Sequence, residues 1–294
     1  MPDDNLIESL LREQWHLAPT EITVLSGGLM SRAWAVSAGD DRYLARLVDE
    51  PARLSVEAGL AAAVHLRGWG VAVGVPVRTL GGSLTAQTPG GALAVLSLVP
   101  GRPLAGADPV DQQWWGDRLG SVHRALQRFH HPGLRSWNLL DPEAPHLRVE
   151  PWLRSAVAGA VTATTRLTVM DRLTYGVLHG DPAPGGFVVD PDTGRTGLLD
   201  CGASGTGPLI YDVAAAVVYA GGADASAEFL DGYLAAGPVH QDELEAALPV
   251  LLRFRWAVQA DWSARILARA ASGCQDIARA ALGHAREALT AATG

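Results

Sequence analysis

The chain has 294 residues, a net charge of −8 and two cysteines. Its length exceeds the usual span of one hydrophobic core, and its acidity argues against binding to nucleic-acid phosphates. Two cysteines are too few for a disulfide framework or a thiolate metal cage, and the longest apolar runs fall short of the ~20 residues that span a bilayer. The acidic start lacks the basic region of a secretion signal, so we expect a cytoplasmic protein that binds neither nucleic acid nor membrane.

The sequence contains no lysine, so all 23 basic residues are arginines. This absence excludes a Walker A phosphate loop and a Schiff-base enzyme, because both need a lysine amine. Arginine can hold phosphate through two parallel hydrogen bonds. Any phosphate site in this chain must therefore be built from guanidinium groups and backbone amides.

The first hundred residues show the short alternating patterns and turn signals of a small β-sheet. After a first helix, residues 21–48 are predicted as strands joined by turns at Ser26-Gly27-Gly28 and at residues 38–41. One helix is then predicted at residues 51–66. Three more strands are predicted, at residues 75–80, 83–88 and 92–99. The pattern indicates an antiparallel sheet with one helix.

Beyond residue 103 the apolar residues recur at helical spacing. Helices are predicted at residues 114–129, 150–161, 167–173, 211–220, 225–236, 242–270 and 276–291. The exception is a pair of apolar runs around the turn sequence at residues 190–194, which predicts a β-hairpin of residues 187–189 against 196–199. The chain is therefore expected to be an α+β protein with a mainly helical second part.

An acidic residue follows an apolar strand on each side of this hairpin. The first is Asp181, in the segment His179-Gly180-Asp181, and the second is Asp200, in Asp200-Cys201-Gly202. We expect the two carboxylates to lie at the same edge. Such a pair suits a base beside a metal ligand, because phosphoryl transfer needs a positioned hydroxyl and neutralised phosphate oxygens.

These motifs resemble those of the aminoglycoside phosphotransferase and choline kinase-like family, in its antibiotic phosphotransferase branch. The resemblance extends over nearly the whole chain, with further matches at Ser26-Gly27-Gly28, residues 43–47, residues 96–101, Leu119-Gly120 with His123, and Asp212. It implies a two-lobed, protein-kinase-like α+β fold. Residues 1–99 would form an N-terminal nucleotide-binding lobe, and residues 100–294 a C-terminal catalytic and acceptor-binding lobe.

The resemblance also implies the chemistry at four charged positions. Asp181 would orient the acceptor hydroxyl and take its proton, and Asp200 would bind the Mg²⁺ that bridges the nucleotide phosphates. Arg46 stands where the family more often has lysine and would hold the phosphates. Glu57 occupies the place of the acid that pairs with that cation.

The remaining matches imply binding or support. Ser26, Gly27 and Gly28 would cover the nucleotide, and the backbone of the segment Ser97, Leu98, Val99 would meet its base. We expect His179 and Asp212 to support the catalytic loop without taking part in the chemistry, because buried polar side chains are usually held in hydrogen bonds.

One position departs from the family pattern at the metal site. Gly186 stands where the family has an asparagine, and glycine has no side-chain oxygen for a second Mg²⁺. Ala183 likewise replaces a histidine that often follows the catalytic aspartate. Pro184 and Gly185 stay in register, and Asp181, Asp200 and Arg46 are retained, so the resemblance favours an active enzyme.

The implied reaction moves the γ-phosphate of ATP or GTP to a hydroxyl of a small molecule. The expected acceptor is an antibiotic of aminoglycoside, peptide or nucleoside type, and phosphorylation would confer resistance. The alternatives are a metabolic kinase of homoserine, choline or sugar type, and a nucleotide-binding pseudokinase. Asp261, Trp262 and Arg265 on a late predicted helix are candidate acceptor contacts, and a solvated amphipathic face is the other interpretation.

Overall fold

The computed structural model describes residues 4–25, 32–269 and 274–291. The chain divides into two compact units, and each is discontinuous in sequence. Unit 1 comprises residues 1–105, 121–135 and 179–205, and unit 2 comprises the rest. The lobe boundary between residues 99 and 100 stays a prediction. Within the described residues, no helix is both long enough and apolar enough to cross a membrane.

Unit 1 contains a five-stranded antiparallel sheet and two helices. The sheet has the order β1-β2-β3-β6-β5, with β1 Glu21–Leu25, β2 Arg32–Ala38, β3 Asp41–Asp49, β5 Thr85–Thr88 and β6 Gly91–Ser97. The helices are α1 Asp4–Trp15 and α2 Arg53–Gly68. Ile7, Leu11 and Trp15 of α1 pack with Trp34 and Leu93 of the sheet in one buried cluster. The apolar spacing of α1 is thereby explained, because these three residues share one helical face.

A second, mixed sheet in unit 1 contains the predicted hairpin. Its order is β4-β11-β10-β7, with β4 Ala72–Val73, β7 Arg102–Pro103, β10 Phe187–Val189 and β11 Thr196–Leu198. Phe187 pairs with Leu198, so the hairpin is confirmed. The predicted strand at residues 75–80 is wrong. Only an isolated bridge from Pro76 to Leu96 forms there, because proline has no N–H to continue a ladder.

The later part of the chain is mainly helical, as predicted. Its helices are α3 Pro109–Ala125, α4 Leu153–Met170, α5 Ile210–Ala220, α6 Ala227–Ala236, α7 Gln241–Leu267 and α8 Gln275–Ala291. Three short strands pair in the order β8-β12-β9, with β8 Arg135–Ser136, β9 Tyr175–Leu178 and β12 Gly205–Pro208. Short 3-10 helices lie at Glu50–Ala52, Pro145–Val149, Pro184–Gly186 and Ala223–Ala225. The two helices predicted at 150–161 and 167–173 are one continuous helix, since no proline or glycine interrupts residues 162–166.

Both cysteines are free, and their environments differ. Cys201 is 3% exposed, and burial together with the neighbouring Asp200 carboxylate raises the pKa of its thiol above the usual range. Cys274 is half-buried. Because the thiolate is the reactive form, only Cys274 should react readily with a thiol reagent in the folded protein.

We therefore expect one thiol equivalent to react with an aromatic disulfide reagent in the native protein and two after denaturation. The native Cys274→Ser variant should show almost no reaction. Fast modification of Cys201 in that folded variant would contradict the burial of the segment after β11.

Candidate active site

The loop that carries Asp181 packs directly against the loop that carries Asp200. Gly180 has a φ of +88°, and a Cβ at this position would lie 2.0 Å from the carbonyl oxygen of Ala203. The amide of Leu199 also donates to the carbonyl of Gly186, at 2.9 Å. Glycine is required at position 180 for both its backbone angle and this close approach.

Asp181 is exposed, and its loop is fixed from the inside by His179. The main-chain amide of Asp181 donates to Nδ1 of His179 at 3.4 Å, and its carbonyl accepts from the amide of Ala183 at 2.9 Å. The imidazole of His179 is buried and stacks on Phe187, with ring centroids 5.5 Å apart. The loop conformation therefore leaves the position of Asp181 accessible to a reactant.

Both carboxylate oxygens of Asp200 have protein partners. Oδ1 accepts the amide of Gly202 at 2.8 Å, and Oδ2 forms an ion pair with Nη1 of Arg46. A Cβ on Gly202 would lie 2.5 Å from Nη1 of Arg46 and 3.1 Å from Oδ1 of Asp200. Gly202 therefore makes room for the guanidinium and supplies an amide to the carboxylate.

Arg46 lies on β3, opposite Ala94 of β6. The acid expected beside it was Glu57, but Arg46 forms an ion pair with Asp200. Glu57 accepts hydrogen bonds from Nη1 of Arg53 at 2.8 Å and from Oγ1 of Thr85 at 3.4 Å. Arg53, one turn before Glu57 on α2, is therefore the cation that engages this acid.

Helix α2 supports the Asp200 loop through a residue that sequence reasoning missed. A Cβ on Gly59 would lie 2.2 Å from the carbonyl oxygen of Cys201, so the helix backbone rests on the loop backbone. The available signal was a lone glycine inside a helical pattern, which often marks a close backbone approach.

The segment expected to meet the nucleotide base has one amide left to donate. The amide of Ser97 donates to the carbonyl of Val75 at 2.9 Å, and the amide of Leu98 donates to the carbonyl of Arg42 at 3.2 Å. Within the described ranges, the amide of Val99 has no acceptor. Ser26, Gly27 and Gly28, also assigned to the nucleotide, lie outside the described residues.

The donor set fits a nucleotide-bound Mg²⁺ better than a protein cage. The described residues contain no group of three or more His, Cys, Asp or Glu side chains that could hold a metal ion. Mg²⁺ commonly takes one or two carboxylates and completes its shell with phosphate oxygens and water. Asp200 can serve as such a carboxylate, because each of its oxygens has a protein partner and keeps a lone pair for a metal ion.

The position of the missing asparagine has open space around it. A Cβ on Gly186 would meet no atom within 4 Å, and the φ of this residue is not positive. Its amide donates to the carbonyl of Ala183 at 2.9 Å. The backbone at position 186 can therefore carry a side chain without strain.

Three candidate acceptor contacts and one supporting residue lie in unit 2, on α7 and α5. Asp261 is buried, with Oδ1 2.6 Å from Nε2 of His146 and Oδ2 2.7 Å from Nε of Arg265. Trp262 is half-buried beside it, and Asp212 is fully buried in the first turn of α5. Sequence reasoning missed His146. Their roles toward acceptor and loop stay predictions.

Comparisons with known proteins show the family and the fold of the chain. Residues 21–248 match the model of a family described as the phosphotransferase enzyme family. A homoserine kinase of Methylobacillus glycogenes is 26% identical over 242 residues, which cover 78% of this chain and 74% of that enzyme.

Solved structures share the fold across the chain. A microcompartment-associated aminopropanol kinase aligns with a TM-score of 0.78 at 18% identity, covering 99% of this chain and 97% of its own. An amicoumacin kinase in complex with AMP-PNP and Ca²⁺ aligns with a TM-score of 0.75 at 18% identity, covering 98% and 93%. The predicted kinase-like α+β fold is confirmed. Since the family model covers well over half of the chain, this protein belongs to the phosphotransferase enzyme family.

Proposed function

We propose that the protein transfers the γ-phosphate of ATP or GTP, with Mg²⁺, to a hydroxyl of a small molecule. The observation that carries the proposal is the Asp200 carboxylate, paired with Arg46 and packed against the loop of Asp181. The proposal is supported because a cation, its paired carboxylate and a second, exposed carboxylate lie on segments that contact one another. These are the parts that phosphoryl transfer needs.

Each residue would either position a reactant or balance a charge. Arg46 and Asp200 neutralise each other, and on binding each would take a ligand of opposite charge, a phosphate for Arg46 and the metal for Asp200. Bound Mg²⁺ supplies neutralisation of the phosphate oxygens. Asp181 would orient the acceptor hydroxyl and accept its proton as the oxygen attacks phosphorus.

The acceptor proposed first is an antibiotic of aminoglycoside, peptide or nucleoside type, with resistance as the outcome in the cytoplasm. The likeness to an amicoumacin kinase and the acidity of the chain, which favours a cationic acceptor, support this choice. A metabolic kinase is the second candidate, because the homoserine kinase relative covers most of the chain.

The first test removes the proposed base. Asp181→Ala should lower acceptor-dependent turnover by about 10²- to 10⁴-fold, the usual cost of losing a general base. Folding and ADP binding should persist, because the residue is exposed. The matched control Asp192→Ala, at the exposed hairpin turn, should keep wild-type turnover. Near-wild-type activity of Asp181→Ala would refute the assignment.

Asp200→Ala should affect binding as well as rate. Removing the carboxylate deletes the proposed metal ligand and the ion pair with Arg46, so titration calorimetry should show weaker binding of Mg²⁺-ADP. Binding of ADP without metal should change much less. Equal losses of ADP affinity with and without metal would mean that Asp200 stabilises the loop and does not bind the ion.

The acceptor can be identified by expression in a sensitive bacterium. The wild-type gene should raise resistance to one class of hydroxylated antibiotic, and the Asp181→Ala gene should not. Mass detection of one added phosphoryl group on a panel that includes homoserine and choline separates the two candidates. Phosphorylation of a metabolite alone would favour the metabolic kinase, and nucleotide binding with no acceptor would favour a pseudokinase.

Gly186→Asn tests how the second metal position is filled. With glycine, a second Mg²⁺ has no side-chain oxygen, so metal titration of activity should show a tight first phase and a weak or absent second one. The asparagine fits the open space and should strengthen the second phase. Two tight phases in the wild type, unchanged in Gly186→Asn, would mean that another carboxylate binds the second ion.

A further inference from the structure

A cavity of about 340 Å³ lies in unit 1, away from the residues proposed for catalysis. It is bounded by the end of α2, the segment 97–100 and the turn of the β10–β11 hairpin. None of Arg46, Asp181 and Asp200 lines it. Its volume is that of a pocket for a small organic molecule.

The apolar walls of the cavity are formed by residues that the fold holds in place. Val71 and Val73 are buried at 5% and 2% exposure, and the lining continues with Leu98, Val99 and Pro100. A preformed surface of this kind can bind an apolar group without rearranging, so the protein loses little conformational entropy on binding.

Close backbone contacts fix these walls relative to one another. A Cβ on Gly74 would lie 2.8 Å from the carbonyl oxygen of Leu199 and 3.0 Å from that of Ser97. A Cβ on Gly197 would lie 2.7 Å from Cγ1 of Val99. The segment after α2, the segment 97–100 and the end of the hairpin therefore touch directly, and the space beside them is preformed.

Two guanidinium groups at the cavity have donors to spare. Arg67 and Arg195 both line it and are exposed, and neither guanidinium forms a hydrogen bond or an ion pair with any described residue. Arg195 has only the through-space attraction of Asp190.

The acceptors at the same site are already engaged. Oδ1 of Asp190 accepts the amide of Asp192 at 3.0 Å, and Oδ2 accepts the hydroxyl of Thr193 at 2.7 Å. The hydroxyl of Ser97 exchanges hydrogen bonds with the backbone of Val75. A ligand would therefore meet an apolar surface with two guanidinium groups and one carboxylate, that of Asp190, at its edge, which leaves a net positive charge.

We propose that this cavity binds a small organic anion, an apolar body carrying a carboxylate, through Arg67 and Arg195. The apolar part would lie on Val71, Val73 and Val99, and the carboxylate would accept from the guanidinium groups, which suit its planar geometry. The site contains none of the proposed catalytic residues Arg46, Asp181 and Asp200, but it shares Val99 with the segment proposed to meet the nucleotide base.

The experiment uses 4-phenylbutyrate as the probe and 4-phenylbutanol as its neutral counterpart, with binding followed by ligand-observed NMR on the full chain. The carboxylate should bind saturably and more tightly than the alcohol. Arg67→Gln and Arg195→Gln should each weaken its binding by about fivefold, the upper range for an exposed charge pair. Arg128→Gln, an exposed arginine of unit 1 that does not line the cavity, should have no effect.

Charge reversal separates a specific site from general adhesion. The double variant Arg67→Glu, Arg195→Glu should lose affinity for 4-phenylbutyrate and gain it for 4-phenylbutylamine, because the apolar walls are unchanged. Wild-type binding should persist in saturating Mg²⁺-ADP and in Arg46→Gln.

Three results would overturn the proposal. The first is equal binding of the alcohol and the carboxylate, or none of either, and the second is an equal loss in Arg128→Gln. The third is complete displacement by Mg²⁺-ADP, which would assign the probe to the nucleotide site. Because none of these measurements requires turnover, failure here leaves the proposed function untouched, and an inactive enzyme would leave this site untouched.

Discussion

The candidate active site depends on the close backbone packing around residues 200–203. Helix α2 reaches this loop through Gly59, the loop of Asp181 reaches it through Gly180, and the guanidinium of Arg46 fits above Gly202. A Cβ at positions 59 or 180 would lie about 2 Å from a carbonyl oxygen, so either substitution forces backbone atoms apart. The relative placement of Arg46, Asp181 and Asp200 follows from these glycines more than from any single attractive contact.

The ion pair between Arg46 and Asp200 contributes to placement more than to stability. Its side chains are 21% and 40% exposed, and water screens a pair of this kind so that its net contribution to folding is small. The pair nevertheless holds the phosphate-binding cation beside the proposed metal ligand. Because the pair is partly exposed, each side chain can leave the other and bind a ligand at a low cost in free energy. A fully buried pair could not do so.

Sequence alone predicted the parts of the fold that rest on local chemistry. The hairpin followed from a turn sequence with proline and glycine between apolar runs, and Phe187 pairs with Leu198 as expected. The prediction of a strand at residues 75–80 was wrong because an apolar run was given more weight than the missing N–H of Pro76. The prediction of two helices in place of α4 was wrong. Threonines interrupt the apolar spacing there, but they do not break a helix.

Contacts between distant segments were harder to predict from the sequence. The resemblance suggested Glu57 as the partner of Arg46, but the choice of Asp200 depends on the position of Gly202, 156 residues further along the chain. Asp261 was read as an acceptor contact from its place on a helix with tryptophan and arginine. Its carboxylate is engaged by His146 and Arg265, and the spacing to His146 carries no local signal.

The β10–β11 hairpin connects the two regions of unit 1 that carry proposals. Gly197 of β11 lies against Val99 at the cavity, and Asp200 follows three residues later with its carboxylate beside Arg46. Val99 also carries the amide left for a nucleotide base. A molecule bound in the cavity would contact the hairpin that leads to the proposed metal ligand and the segment proposed to meet the base. Coupling between two ligands is reciprocal. If the anion changes the affinity for nucleotide by some factor, bound nucleotide must therefore change the affinity for the anion by the same factor.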